Sequence, residues 1–179
     1  PHRVRIDVIE RVPAGTAPCP GEAVGCRLVV YRSGRVLGEA GGSLQVPALE
    51  QLAAVPGTGQ WLDGSDKEVA AAAGFIPDDL RPHVRSVGRD GADLVLRLTP
   101  KATAAGTANK NTAKTTTTKK TGAGTSSTPA ADVTVVRLGS AEKLPEKLGA
   151  AAAVYEKGAA RDVSMIDVRS PGHPTLTRT

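Results

Sequence analysis

Aromatic side chains are nearly missing from this chain: one Trp, one Phe and two Tyr make up 2% of its 179 residues. A core without them has to be assembled from Val, Leu, Ile and Ala. Each large aliphatic side chain gives roughly 1.5–3 kcal/mol on burial, so many must be used. No apolar run approaches the ~18 residues of a membrane-crossing helix, and no segment reads as a signal peptide. The chain opens on Pro1 rather than Met and is read as a fragment. Catalytic signatures are missing as well: there is no G-x-S-x-G elbow, no P-loop, no zinc-ligand spacing and no Ser-His-Asp order, which points away from an enzyme. The length allows one domain, with at most an appendage.

The net charge of +5 invites a nucleic-acid reading, but the excess is local. Lys101, Lys110, Lys114, Lys119 and Lys120 lie between Lys101 and Ala131, a stretch with no acidic residue, and the remaining 18 basic residues are matched by 18 acidic ones. Without a basic face or aromatic platforms, no specific nucleic-acid partner is expected. That tract, with Asp132 following it, is chiefly Thr, Ala, Lys and Gly with no large apolar side chain over residues 101–132. It cannot offset its ordering entropy and reads as a long disordered loop, able at most to touch anionic polymer weakly.

Cys19 and Cys26 are the only cysteines, and Pro20, Gly21 and Gly25 lie between them. In an oxidising compartment, two cysteines across a tight Gly/Pro loop suit a disulfide. Two thiolates alone do not make a metal site, His2, His83 and His173 show no ligand spacing, and no Cys-His pairing suggests a catalytic thiol, so neither metal nor cofactor is expected.

Along the chain, Val4, Ile6 and Val8 alternate with Arg5 and Asp7, predicting a half-buried strand over residues 3–12 that Pro13 ends. Residues 26–31 and 35–38, joined by Ser33-Gly34, predict a hairpin. Residues 44–52 read as a link to a helix in which Ser65 and Glu68 form a capping box and Gly74 is the stop. Trp61, just ahead, is expected to plug the core. Pro77, Asp78 and Asp79 open a short turn towards His83, a surface residue, and the two carboxylates serve a helix end rather than acid catalysis. A second hairpin is predicted from residues 84–88 and 93–99 around Asp90-Gly91, with Leu94, Leu96 and Leu98 on one face. Its second strand should pair with residues 133–138 across the long loop, since doubling a loop costs only about 0.6 kcal/mol.

The last fifth of the chain reads as strand, helix, strand, short strand. Ser140 is an N-cap type. Leu144, Leu148, Ala151, Ala152 and Tyr155 form one apolar stripe, Pro145 is tolerable only in a first turn, so that the regular helix starts near Leu144, and Gly158 is a stop. Residues 163–169 change apolar phase between Met165 and Ile166, as in a strand buried on both faces or carrying a bulge. After the turn chemistry of Ser170, Pro171 and Gly172, residues 174–178 form a short, polar, Pro-headed edge strand. The fold class is α+β: a mixed or antiparallel sheet, one main helix, one shorter helix and the loop insertion.

The order V-x-V-V-x-L-G-S-A-E, a Leu/Ala helix ending near a Tyr, V-S-x-I-D-V-R-x-P and a terminal P-T-x-T-R resembles the end of the extracytoplasmic domain of the FtsQ/DivIB cell-division family, above all its actinobacterial members. P-H-x-V-R-I-D-V-I-E-R-V-P at the start is similar to that family's junction between its POTRA and β domains. The resemblance implies residues 1–13 as the last strand of a truncated POTRA domain, 14–100 as the first part of the β domain and 133–179 as its remainder. It also implies a single transmembrane helix preceding this fragment, with this part outside the cell membrane at the division septum. The implied role is a non-enzymatic scaffold whose terminal strand recruits FtsB, paired with FtsL. Arg169, Ser170, Pro174, Thr175, Leu176, Thr177 and Arg178 would be the contacts, Leu176 an apolar anchor, and Arg169 and Arg178 selectors of an acidic partner. Two other readings stand beside it: a cell-envelope polymer-binding or adhesion module acting through the Lys/Thr tract, and a secreted enzyme.

Overall fold

The computed structural model describes Arg5 and residues 12–21, 25–42, 44–99, 133–157 and 163–178. The strand expected over residues 3–12, the loop expected over 101–132 and the stop expected at Gly158 lie outside the described residues. Of the first, only Arg5 and Val12 are described, and neither is in a strand.

Small residues open the fold. Strand β1 (Pro13–Pro18) is PAGTAP, a sequence with little preference for a strand, yet it lies inside the sheet. Its smallness is the reason: a Cβ on Gly15 would meet Leu49 Cδ2 at 2.6 Å and the Pro47 carbonyl oxygen at 2.9 Å. Pro13 opens β1, opposite Tyr31. Strands β2 (Arg27–Tyr31) and β3 (Val36–Glu39) form the hairpin that the sequence predicts, with Gly34 at φ +88° in its turn. The link expected over residues 44–52 contains a two-residue strand, β4 (Ala48–Leu49), which runs parallel to both β1 and β5 (Val84–Asp90).

Helix α1 (Gly64–Gly74) begins one residue before Ser65, so the expected capping box does not form; Asp63 holds the N-cap position without a side-chain bond. Glu68 instead pairs with Arg89 of β5. The buried Asp66 carboxylate accepts from the Ala53 and Ala54 amides at 2.9 and 3.2 Å, fixing the preceding loop to the helix. The helix does end at Gly74, where a Cβ would come within 2.2 Å of Arg32 Cβ: the glycine permits close packing on β2's end rather than a left-handed cap. Trp61 is 51% exposed and is not the core plug that was expected.

A 3₁₀ turn (Arg81–His83) leads into β5 and β6 (Asp93–Leu98), the second predicted hairpin, and β6 pairs antiparallel with β7 (Thr134–Gly139), as the sequence also predicts. Helix α2 (Leu144–Glu156) carries Pro145 in its first turn. Ser140 does not cap it: Lys143, at φ +54°, holds that position, while the Ser140 carbonyl accepts from buried Lys147 Nζ at 2.9 Å. The stripe of Leu144, Leu148, Ala151, Ala152 and Tyr155 is buried throughout, and Tyr155 Oη donates to the Thr99 carbonyl at 3.0 Å. Strand β8 (Val163–Asp167) carries an irregularity between Val163 and Met165, and β9 (Thr175–Arg178) closes the described fold.

The fold is α+β. Among the described residues one mixed sheet of nine strands runs β3-β2-β1-β4-β5-β6-β7-β8-β9, parallel at β1·β4, β4·β5 and β7·β8. Residues of α1 and α2 join Leu28, Val30, Leu49, Val87, Leu94, Leu96, Val136, Leu138 and Ile166 in a single core cluster, so both helices cover one face of the sheet. The alternate residues of the same strands, among them Val29, Arg97, Arg137 and Asp167, lie on the other face.

Candidate functional site

Among the described residues β9 has one neighbour, β8, and all four of its residues are exposed. The register Asp167↔Thr175, Ile166↔Leu176, Met165↔Thr177 places Leu176 on the helix side, beside fully buried Ile166. Leu176 itself is 37% exposed and stands at the end of the core layer without being enclosed by it. Thr177's carbonyl faces β8, where it accepts from Ser164 Oγ at 3.2 Å. Alternation then aims the main-chain N–H and C=O groups of Leu176 and Arg178 at the open edge. Unsatisfied donors and acceptors in a row are a template for another strand.

The turn before β9 is organised by an ion pair. The Asp167 carboxylate accepts from the Arg169 amide at 3.0 Å, from Nε at 2.9 Å and from Nη2 at 2.7 Å. Those hydrogen bonds from Arg169 hold the Asp167 carboxyl below its ordinary value, against a smaller opposing effect of burial, and the carboxylate raises Arg169 in turn. The Arg169 stem crosses Gly139, where an added Cβ would sit 2.8 Å from Arg169 Cγ; Gly139 itself is at φ +70°. A depression lined by Asp167, Arg169, Ser170, His173 and Thr175 results. The His173 amide donates to the Ser170 carbonyl at 3.0 Å, closing the turn, and Pro174 leads into the strand with no amide of its own to offer.

The residues singled out from sequence are thus gathered at one edge, with different duties. Leu176 and Arg178 present main-chain groups to the edge, Thr175 and Thr177 present theirs to β8, and Arg169 is committed to Asp167 rather than free for a partner. Asp167 and Gly139 were missed. For Asp167 a signal was present: it lies two residues from Arg169 in the stretch that the sequence reads as one strand, hence on the same face, although β8 itself ends at Asp167.

Cys19 and Cys26 are joined in a disulfide with Cα atoms 5.4 Å apart, linking the end of β1 to the start of β2. Five strands separate β1 from β9, so the disulfide takes no part in this edge. Among the described residues no group of three or more His, Cys, Asp or Glu could hold a metal ion, and no helix is long and apolar enough to cross a membrane. Set against protein-family models, curated proteins and solved structures, the chain finds no match in any of the three.

Proposed function

We propose that this chain belongs to the extracytoplasmic region of a bacterial division scaffold of the FtsQ/DivIB kind, as its β domain with the last POTRA strand, and that β9 receives a strand from a partner of FtsB type, itself paired with a protein of FtsL type. The observation that carries the reading is the edge: the one strand that the family resemblance makes the recruiting element has, among the described residues, a single neighbour and four exposed residues. Outward main-chain groups of Leu176 and Arg178 supply the pairing. Leu176 offers its partly exposed side chain as the apolar anchor, extending the core layer from Ile166 into the added strand. Arg178, which has no ion pair among the described residues, favours an acidic residue on the incoming chain. The Cys19–Cys26 disulfide is at home in an oxidising compartment and supports a place outside the cytoplasm. The role requires no chemistry, only recruitment, so the protein acts as a scaffold and not as an enzyme.

Calorimetric titration with the extracytoplasmic segment of the FtsB-type partner tests this. The intact chain should bind with micromolar or tighter affinity, and a chain cut after Pro171 should keep its circular dichroism and lose the binding. Equal affinity of the two forms would refute the mechanism.

A further inference from the structure

The arginines of the sheet divide between its two faces. Arg89 lies on the helix face, where it pairs with Glu68 of α1. Arg27, Arg85, Arg97, Arg137 and Arg169 lie on the open face. Three of these five are answered by carboxylates: Arg97 by Glu50 at 2.7 Å, Arg137 by Asp93 at 3.4 Å, and Arg169 by Asp167 at 2.7 Å. Among the described residues, Arg27 and Arg85 are not.

Arg27 is nonetheless fixed in place. Its Nε donates to Thr16 Oγ1 at 2.9 Å and its Nη2 to the Thr16 carbonyl at 3.1 Å, which leaves Nη1 without a partner among the described residues. Arg85, from β5, has no hydrogen bond or ion pair among the described residues. Between them runs β4, and its Ala48 is too small to fill the space. The result is a trough lined by Arg27, Arg85, Thr16, Ala48, Val46 and Leu44, the last 40% exposed, with no acidic side chain in its walls among the described residues.

We infer that this trough is a binding site for an oxyanion, the carboxylate or phosphate of a ligand whose apolar part lies against Leu44 and Val46. Two guanidinium groups from different strands, one of them immobilised, offer the planar donor geometry that fits such oxygens. The ligand supplies the negative charge that Glu50, Asp93 and Asp167 supply to the other three arginines. The site lies over β1, β4 and β5, away from β9, and does not depend on the scaffold reading.

Amide and arginine Nε NMR of the whole chain, titrated with butyl phosphate and separately with butyrate at constant ionic strength, tests it. Saturable shifts centred on Thr16, Ala48 and Arg85 are expected with at least one probe, and the tighter of the two tells whether the group is a phosphate or a carboxylate. Arg85→Gln, which removes no hydrogen bond or ion pair among the described residues, should weaken binding roughly tenfold. The double variant R27Q/R85Q should abolish it, and Arg97→Gln should leave it unchanged. Non-saturating shifts with both probes, or binding that survives in the double variant, would overturn the assignment.

Discussion

The two outer strands of the sheet meet the same problem and solve it differently. β3 is screened by its own chain: the Gly59 amide donates to the Val36 carbonyl at 2.8 Å, the Val36 amide to Gln60 at 2.9 Å, and the Leu62 amide to Gly34 at 2.8 Å. Trp61 sits in this cover, bridged to Arg35 and under its guanidinium at 5.8 Å from the ring centre. Its half-exposed place is therefore that of a lid on an edge, not of a core residue. β9 has no such cover among the described residues; it is instead short, polar and preceded by a proline, devices that discourage unplanned pairing without forbidding it. An edge blocked by the chain itself is closed for good, whereas one guarded only by composition stays available to a matching strand.

The largest effect expected lies one strand in from the open edge. Ile166 and Leu176 face each other across β8 and β9, but Ile166 is fully buried and Leu176 is not. Ile166→Ala should destabilise the fold by about 2–5 kcal/mol in urea denaturation, through lost burial and the cavity left behind. Leu176→Ala should cost less than ~1 kcal/mol of stability. Its effect belongs to binding, where loss of the anchor should weaken the partner about tenfold. A Leu176 variant that binds normally would deprive the open edge of its anchor.

The screened edge can be opened. Gly59→Pro places a residue locked near φ −65° at a backbone of φ +83° and deletes the donor to Val36, costing about 1–3 kcal/mol. Amide hydrogen exchange should quicken at Val36 and remain unchanged in β9. If Val36 stays protected, the segment over residues 59–62 is not what screens β3.

What was legible in the sequence follows the same divide between pattern and context. The hairpins around Gly34 and Gly91, the buried stripe of α2 and the edge character of β9 were all visible, because alternation, helical spacing and turn residues are local. β1 and β4 were not: PAGTAP and Ala48–Leu49 become strands only because neighbours flank them, and the close approach of Gly15 to Leu49 is a tertiary fact. The capping signals at Ser65 and Ser140 misled because the turns before the helices, at Asp63 and at left-handed Lys143, set the starts instead. At the edge itself the residues that share it could be grouped, but not that Arg169 is already held by Asp167.

That pairing gives the smallest effects and the finest test of how the open edge selects a partner. Arg178→Gln should weaken partner binding a few-fold and flatten its salt dependence, since a rim charge acts mainly through steering and selection. Arg169→Gln should change affinity less, because its guanidinium serves the turn. The pair has its own signature. Asp167's carboxyl is held below the ~3.9 of an unfolded chain, so its contribution to stability is fully present above that pH and is lost as pH falls through the lower folded value. A carboxyl-carbon NMR titration should place Asp167 below ordinary aspartates in the intact protein and return it towards them in Arg169→Gln, while the small stability difference between the two proteins at neutral pH disappears in acid. Arg169 is more than half exposed, so that difference is modest and falls further with added salt. If Arg169→Gln abolishes partner binding while Arg178→Gln does not, the selecting charge is the one in the turn, and the partner must break the Asp167 pair in order to bind.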